Sequence, residues 1–302
     1  MTLLDKALVR VLPVVPRPVV QLFSARYIAG PTVDDAGRVV RSLNADGKRA
    51  TIDVLGEEIT REEDARAIAQ AYRDVFAMIE REQLDSNVSV KLTGLGLDLS
   101  YDLCRENLVS ILELARTHGR FVRIDMEDSS TTSDTLQLYR ELRGDGYDNV
   151  GIVLQARLRR TLDDIRSLAD LRPNVRLCKG IYLEPASIAY TDAEAIRANF
   201  MQALRALADA ASYLAIATHD EWLLQQTLGN GVPLRDGAYE FQMLLGVREE
   251  RATELVRSGH PLRVYVPFGE QWYEYSLRRL QENPEMAGTI ARATVGRVLG
   301  RG

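Results

Sequence analysis

The chain has 302 residues and a formal net charge of −5, with 46% hydrophobic and 27% charged residues. These are the proportions of an ordinary soluble globular protein, and they exclude an intrinsically disordered chain. The mildly acidic balance argues against a nucleic-acid-binding protein, because such proteins usually carry a basic stripe. Two cysteines, Cys104 and Cys178, are too few for a disulfide framework or a cysteine-ligated metal, and they suit a reducing cytoplasm.

The first 46 residues predict short helices rather than a signal peptide or a membrane span. Asp5, Lys6 and Arg10 interrupt the apolar N-terminal stretch. No segment approaches the roughly 20 apolar residues that a membrane helix needs. Breaks between the helices are expected at the prolines, which stand at Pro13, Pro16, Pro18 and Pro31. We expect residues 1–46 to form extra N-terminal helices of a cytoplasmic protein.

Beyond residue 46, short runs rich in Val, Ile and Leu alternate with longer charged stretches of helical period. Eight runs start about 30 residues apart, the spacing that a (β/α)8 barrel of about 250 residues requires. The runs span 49–55, 87–93, 121–126, 149–155, 175–179, 213–219, 239–245 and 262–267. A doubly wound open sheet needs fewer strands, and no G-x-G-x-x-G follows the first run. The sequence therefore predicts one (β/α)8 TIM-type barrel over residues 47–284.

Helix signals occupy the stretches between these runs. Thr60-Arg-Glu-Glu63 has the pattern of a capping box and predicts a helix that runs to about Glu82. Two later stretches, 192–211 and 248–258, have the same helical period. Strands alternating with helices favour a parallel sheet.

Polar side chains stand near the end of almost every predicted strand. Strands buried on both faces should be nearly continuous apolar runs, so these side chains require a reason. Any single one is as consistent with a structural role as with a functional one. Barrel enzymes place their active sites at the C-terminal ends of the strands, so the whole set predicts a binding site there. The residues are Asp53, Lys91, Asp125, Gln155, Lys179, Thr218, His219, Gln242 and Tyr265.

A dense group of charges follows the last predicted strand, in the stretch 271–282. Arg278, Arg279 and Glu282 are spaced so that all three share one edge of a helix. The alternative is a solvated helix face with intrahelical ion pairs. Because the helix comes directly after strand eight, we expect it over the barrel mouth, where two guanidiniums offer a bidentate grip on a carboxylate. The spacing favours a small carboxylic acid as substrate and indicates no reaction.

Seven short motifs follow one another in order across residues 47–284. They are SVKL at 89–92, RIDME at 123–127, VLQA at 153–156, RLCKGIY at 176–182, ATH at 217–219, YEFQML at 239–244 and YSLRRLQE at 275–282. In these motifs the sequence resembles the proline dehydrogenase (proline oxidase) family in its single-function bacterial form. The resemblance implies an FAD-binding barrel that oxidises L-proline to Δ1-pyrroline-5-carboxylate by hydride transfer to flavin N5. That reaction is the first step of proline catabolism to glutamate.

The resemblance also implies partners. A membrane quinone would reoxidise the flavin, and a downstream pyrroline-5-carboxylate dehydrogenase would take the product. Contact with the membrane would be peripheral at most, and no metal is implied. For residues 285–302 a mobile C-terminal tail is expected, with a weak membrane-docking helix as the alternative hypothesis.

The resemblance assigns substrate roles to individual side chains. Arg278 and Arg279 would hold the proline carboxylate, with Lys91 as a third cation. The pyrrolidine ring would pack against an aromatic and an aliphatic side chain, and two further residues would close the pocket. The implied substrate-binding residues are Lys91, Tyr182, Leu244, Tyr265, Arg278, Arg279 and Glu282.

Catalytic and cofactor roles follow in the same way. Asp125 and Arg176 would be catalytic, Asp125 by anchoring Lys91 and the flavin edge. The implied cofactor-binding residues are Asp125, Met126, Gln155, Arg176, Cys178, Lys179, Gly180, Thr218, His219 and Gln242.

Some positions depart from the commonest pattern of that family. Cys178 stands where an aliphatic residue is frequent, and a small buried hydrophobic role is favoured for it. Ile181 replaces a frequent alanine, and Asp220 replaces a frequent asparagine. Tyr265 favours proline over hydroxyproline as substrate.

Two other functions are compatible with a barrel. A lyase or aldolase acting on a small carboxylate would use Lys91 or Lys179 as a Schiff-base lysine. A non-catalytic barrel would bind a metabolite without turnover. Neither explains the ordered set of motifs.

Overall fold

The computed structural model of the protein describes residues 26–56, 59–229, 231–273 and 276. Within them, eight parallel strands pair in chain order, and the last pairs with the first to close a barrel. The predicted (β/α)8 fold is confirmed. The strands are β1 (Arg49–Val54), β2 (Ser86–Val90), β3 (Val122–Ile124), β4 (Val150–Gln155), β5 (Asn174–Cys178), β6 (Tyr213–Ala217), β7 (Tyr239–Leu244) and β8 (Leu262–Phe268).

Helices precede β1 and connect each strand to the next. They are α1 (Val33–Ala45), α2 (Glu62–Arg81), α3 (Tyr101–Thr117), α4 (Thr132–Gly144), α5 (Thr161–Leu168), α6 (Ala193–Ala210), α7 (Glu221–Gly229) and α8 (Glu249–Arg257). A short 3-10 helix, Ala169–Leu171, follows α5. Among the described helices, none combines the length and the apolar composition that crossing a bilayer requires. The predicted helices within residues 1–25 and the predicted tail at 285–302 lie outside the described residues.

Helix α1 fills the gap on the barrel wall between the last strand and the first. It begins at a capping box, in which Thr32 accepts a hydrogen bond from the Asp35 backbone and Asp35 accepts one from the Thr32 backbone. Its buried side packs against both β1 and β8. In a regular barrel the helix that follows β8 takes this position.

Several strands end earlier than the apolar runs predict. Pairing stops at Val90 in β2, at Ile124 in β3 and at Ala217 in β6, two or three residues before the ends of the runs. Polar Lys91 and Asp125 come directly after two of these ends. Lys91 and Asp125 therefore belong to the loops around the barrel mouth.

The capping box predicted at Thr60 is wrong. Helix α2 begins at Glu62, its N-cap is Arg61, and no side chain caps it by a hydrogen bond. Arg61 instead donates two hydrogen bonds to Asp64, at 3.0 and 2.7 Å. Three acidic residues in the first turn stabilise this helix end through the helix dipole, a role that needs no capping side chain.

Candidate active site

A cavity of about 790 Å³ opens at the C-terminal ends of the strands. This volume lies within the usual range for sites that bind small molecules or cofactors. Every described residue to which the resemblance assigns a role lines it, namely Lys91, Asp125, Met126, Gln155, Arg176, Cys178, Lys179, Gly180, Tyr182, Thr218, His219, Gln242, Leu244 and Tyr265. Arg278, Arg279 and Glu282 lie outside the described residues.

Asp125 is the centre of a hydrogen-bonded network at the base of the cavity. Its Oδ2 accepts a hydrogen bond from the Tyr265 hydroxyl at 2.8 Å. Its Oδ1 accepts one from Arg176 Nη1 at 2.6 Å and one from Ser89 Oγ at 2.9 Å. The carboxylate thus joins residues from four parts of the barrel wall and fixes their relative positions.

Lys91 contacts Tyr265 and a second carboxylate, that of Asp53. Its Nζ donates to Asp53 Oδ2 at 2.6 Å and lies 3.3 Å from the Tyr265 hydroxyl. Asp53 is fully buried on β1, the strand next to β2. Lys91 thus contacts Asp53, and the Tyr265 hydroxyl links it to Asp125. The anchoring role of Asp125 toward Lys91 stays a prediction, and Asp53 adds a carboxylate to which the sequence assigned no such role.

Arg176 is held from several sides by its neighbours. Besides the bond to Asp125, its Nε donates to Gln242 Oε1 at 2.5 Å, and its Nη2 donates to Ser89 Oγ at 3.2 Å. Its guanidinium carbon lies 5.4 Å from the centre of the Tyr265 ring. Such a guanidinium has a fixed plane and a fixed direction for its remaining N–H groups.

A second cluster lies toward the rim and contains Asp220, Lys179 and Arg197. Asp220 Oδ2 accepts hydrogen bonds from Lys179 Nζ at 2.9 Å and from Arg197 Nε at 2.8 Å. Burial alone would raise the pKa of Asp220, but the bonds from Arg197 and Lys179 outweigh it and lower the pKa to about 2. Two cations against one carboxylate leave this cluster with a positive charge.

The loop after β5 brings its backbone close to the cavity at Gly180. This glycine has a φ of +93°, and a Cβ there would lie 2.6 Å from Gln155 Oε1. A side chain is therefore excluded both by backbone conformation and by contact with Gln155. Beside it, burial raises the pKa of the Cys178 thiol to about 11, so this side chain is a neutral thiol at ordinary pH.

His219 connects the loop after β6 with β7. Its Nε2 accepts a hydrogen bond from the Leu244 backbone N–H at 2.9 Å. Since Nε2 is the acceptor, the ring is neutral in this arrangement and carries its proton on Nδ1. Protonation would replace that acceptor with a donor facing the Leu244 N–H.

Several residues that line the cavity were not identified from the sequence. Tyr27 comes from the N-terminal segment, which is drawn to the barrel rim because the Ala29 N–H donates to the Pro267 carbonyl at 2.9 Å. Arg197 comes from α6 and stands far along the sequence from the end of any strand. No sequence pattern indicates that it lines the cavity. Glu127 stands two residues after Asp125 in the loop that follows β3, and its place in the motif RIDME at 123–127 could have indicated it.

Comparison with known proteins shows the family to which this barrel belongs. The family described as "Proline dehydrogenase" matches residues 36–292. The chain belongs to the proline dehydrogenase family. It is 39% identical over 274 residues to "Proline dehydrogenase 1" of Bacillus subtilis subsp. natto, with 90% of each chain covered. It is 36% identical over 278 residues to "Proline dehydrogenase" of Deinococcus radiodurans, with 88% of each covered.

Longer proteins contain a similar barrel. A crystal structure of proline utilization A from Bdellovibrio bacteriovorus, inactivated by N-propargylglycine, matches with a TM-score of 0.79 and 26% identity. The match covers 86% of this chain and 32% of that one, so this proline dehydrogenase family member spans about a third of that protein. The "Bifunctional protein PutA" of Escherichia coli is 28% identical over 310 residues, and 23% of its length is covered.

Proposed function

We propose that this protein oxidises L-proline to Δ1-pyrroline-5-carboxylate with FAD as its electron acceptor. The observation that carries the proposal is the connected network of Lys91, Tyr265, Asp125 and Arg176 at the base of the cavity. These residues come from four places around the barrel, and their hydrogen bonds fix their geometry before any ligand arrives. Such prior positioning is what a reaction between a bound substrate and a bound cofactor needs. Membership of the proline dehydrogenase family supports proline as the substrate.

The described residues fit the chemistry of FAD. At the rim, Lys179 and Arg197 carry more positive charge than Asp220 neutralises, which suits an anionic diphosphate. The backbone of Gly180 approaches the cavity where a Cβ would not fit. We assign FAD binding to these groups together with Met126, Gln155, Cys178, Thr218, His219 and Gln242, and to the Arg176 and Asp125 pair. When bound, FAD supplies a two-electron acceptor at N5 for the hydride that leaves the substrate.

The proline carboxylate requires positive charge beyond what the described residues supply. The described residues that line the cavity include four cations, Lys91, Arg176, Lys179 and Arg197, and four carboxylates, Asp125, Glu127, Asp220 and Glu221. At the base of the cavity Lys91 and Arg176 already pair with Asp53 and Asp125, so a substrate carboxylate placed there gains from further positive charge. We therefore assign the carboxylate to Arg278 and Arg279, with Lys91 as a third cation and Glu282 as an arginine partner.

Tyr265 and Leu244 form an apolar wall for the pyrrolidine ring in this proposal, and Tyr182 closes the pocket. The Tyr265 ring cannot rotate freely, because its hydroxyl donates to Asp125 and accepts from Lys91. A fixed wall orients the ring carbon that loses hydride and excludes water from it. Asp125 and Arg176 act by holding this geometry, and no separate base is assigned.

The arrangement of the lysines disfavours the lyase. Lys91 lies 2.6 Å from Asp53, and Lys179 lies 2.9 Å from Asp220. Each ammonium donates a hydrogen bond to a buried carboxylate, and a Schiff-base lysine would have to give up that contact to attack a carbonyl. Borohydride trapping of either lysine with a small keto acid would establish the lyase and overturn the proposal.

For the rest of the catalytic cycle, we propose that a membrane quinone reoxidises the flavin and that a separate pyrroline-5-carboxylate dehydrogenase takes the product. The protein would then work in the cytoplasm with peripheral contact to the membrane. Residues 285–302 are the candidate docking segment. Unchanged liposome binding after their deletion would exclude that role.

Steady-state turnover tests the proposed reaction. The purified protein is incubated with L-proline and a soluble quinone, and the imine product is trapped with an aromatic amino aldehyde. We expect product in proportion to quinone reduced, and none with hydroxyproline at the same concentration. Quinone-independent product, or no product in protein that carries flavin, would contradict the proposal.

A further inference from the structure

We propose that Glu240, which does not line the cavity, is a positioning residue that sets the direction of the Gln242 side-chain amide and thereby holds Arg176. The structural part of this proposal stands on the contacts inside the barrel. Its kinetic consequence rests on the proposed function. On β7, the sequence predicts roles in the site for Gln242 and Leu244, and it assigns none to Glu240.

Glu240 and Gln242 are neighbours on one face of β7. They are two residues apart on the strand, so both side chains point into the barrel, and both are buried. Gln242 Nε2 donates to Glu240 Oε1 at 2.6 Å. The same Oε1 accepts from Arg263 Nε at 2.8 Å. Glu240 therefore has the position and the acceptor needed to control the Gln242 amide.

The orientation of the Gln242 amide determines whether its oxygen or its NH2 group faces Arg176 Nε. With Nε2 turned toward Glu240, Gln242 presents Oε1 to Arg176 Nε at 2.5 Å. If the amide were flipped, an NH2 group would face the Arg176 N–H, and two donors would oppose each other. Glu240 stabilises the first orientation because a carboxylate is an acceptor only. A glutamine alone has no such preference.

Glu240 is kept as a carboxylate by the cations around it. Burial alone would raise its pKa, but Arg263 and the other hydrogen-bond donors lower it. Arg49 adds a cation, with Nη1 3.7 Å from Glu240 Oε2. The side chain is 2% exposed, so water does not compete for its oxygens.

A change of Glu240 to glutamine should disturb this arrangement in either amide orientation. If the new carbonyl oxygen takes the place of Oε1, the new NH2 faces Arg49. If the new NH2 takes that place, it faces two donors, Arg263 and Gln242, and favours the flipped amide of Gln242. The second outcome removes the acceptor that Gln242 offers to Arg176. The first keeps that acceptor but holds the Gln242 amide less firmly, because a neutral amide oxygen is a weaker acceptor than a carboxylate.

The test is the side-chain Nε–H signal of Arg176 in the 15N NMR spectrum of the protein as purified, assigned by its loss in Arg176→Lys. In the wild type we expect a signal protected from exchange with water, because this N–H is buried and hydrogen-bonded. Glu240→Gln should reduce the protection clearly below that of the wild type. The double variant Glu240→Gln/Gln242→Glu should restore it, since the carboxylate now at position 242 offers an acceptor to Arg176 and the amide now at position 240 donates to that carboxylate.

Two further variants keep the outcome decisive. Glu240→Asp retains the charge opposite Arg263 but withdraws the acceptor from Gln242, and it serves if the glutamine variant does not fold. Asn107→Ala is the matched control, because it removes another buried polar contact, that with the Leu95 carbonyl, on a helix outside the barrel interior. Protection of Arg176 that survives the change of Glu240, fails to return in the double variant or disappears in Asn107→Ala would overturn the proposal.

Kinetics then link the positioning to the reaction. Displacement of one reacting group by about 1 Å costs on the order of 100-fold in rate, so Glu240→Gln should slow flavin reduction by at least about tenfold. KM for proline should change less than about threefold, because the carboxylate is assigned to other residues. A wild type that proline does not reduce would refute the proposed function alone, while the NMR signal still tests Glu240. A KM change as large as the rate change would overturn the positioning role.

Discussion

The two ends of the barrel interior hold buried charges in different surroundings. At the N-terminal end, Arg123 donates to the carbonyls of Ile152 and Asn174, and Arg263 pairs with Glu240 and donates to the carbonyl of Ala50. At the C-terminal end, charged pairs such as Arg176 and Asp125 line a cavity. Burial and charge alone therefore do not mark a functional site. What distinguishes the mouth is that its charged groups face space that a ligand can fill.

The strongest test of this difference is Asp125→Ala at the mouth. The change removes the acceptor for Arg176, Tyr265 and Ser89. Loss of these charge-assisted hydrogen bonds corresponds to about 3 kcal/mol, or about 100-fold in the rate of flavin reduction by proline. Stopped-flow absorbance measures that rate, and a fully active variant would reduce Asp125 to a structural residue.

At the opposite end of the barrel, Arg123→Lys should affect folding instead of the reaction. Lysine cannot reproduce the bonds to Ile152 and Asn174, and its charge is left in a buried place. Burial already lowers the pKa of Arg123 to about 9. We expect a loss of about 2–3 kcal/mol in the free energy of unfolding, measured in urea, with KM for proline unchanged. Equal stability, or a raised KM, would remove the distinction between the two ends.

Arg278→Lys examines the substrate carboxylate. A lysine loses the bidentate geometry of the guanidinium, so proline binding should weaken by about 1.5–3 kcal/mol, seen as a rise in KM of about 10- to 100-fold. Arg166→Lys is the matched control, because Arg166 is an exposed arginine paired with Asp163 on the surface. An unaltered KM in Arg278→Lys would remove this residue from the carboxylate site.

The smallest expected effect concerns Asp220 and acid. Its folded-state pKa of about 2 lies below the ordinary value of 3.8, so its ion pairs stabilise the protein above about pH 4. That contribution is lost as the pH falls toward 2. Since Lys179 and Arg197 are partly exposed, we expect about 1 kcal/mol. Unfolding of the wild type and Asp220→Asn between pH 5 and 2 should show a difference that disappears in acid, and a constant difference would contradict it.

The sequence predicts the barrel well because hydrophobic runs at a regular spacing record each buried strand. It predicts the mouth residues because polar side chains interrupt those runs. The exact strand ends are less accessible, since Lys91 and Asp125 lie inside the predicted runs 87–93 and 121–126 but belong to loops in the structure. Thr60 shows the same limit, because a capping pattern competes with the Arg61–Asp64 pair that forms in the fold.

Contacts between distant segments could not be predicted from the sequence. Asp53 is recognisable as a polar strand residue, but its pairing with Lys91 depends on the closure of neighbouring strands. Tyr27 reaches the cavity through the packing of the N-terminal segment against the barrel, and Arg197 reaches it through the packing of α6. Glu240 could have been predicted from the sequence. It stands two residues before Gln242 on β7 and therefore shares the inward-facing side of that strand.

The central claim is that the cavity at the strand ends holds a flavin that L-proline reduces. Its most direct test is the visible absorption spectrum of the purified protein, recorded before and after anaerobic addition of L-proline. We predict a flavin spectrum that bleaches with proline and returns when a quinone is added. A protein that stays colourless and inactive after added FAD, or a flavin that proline leaves oxidised, would contradict the account.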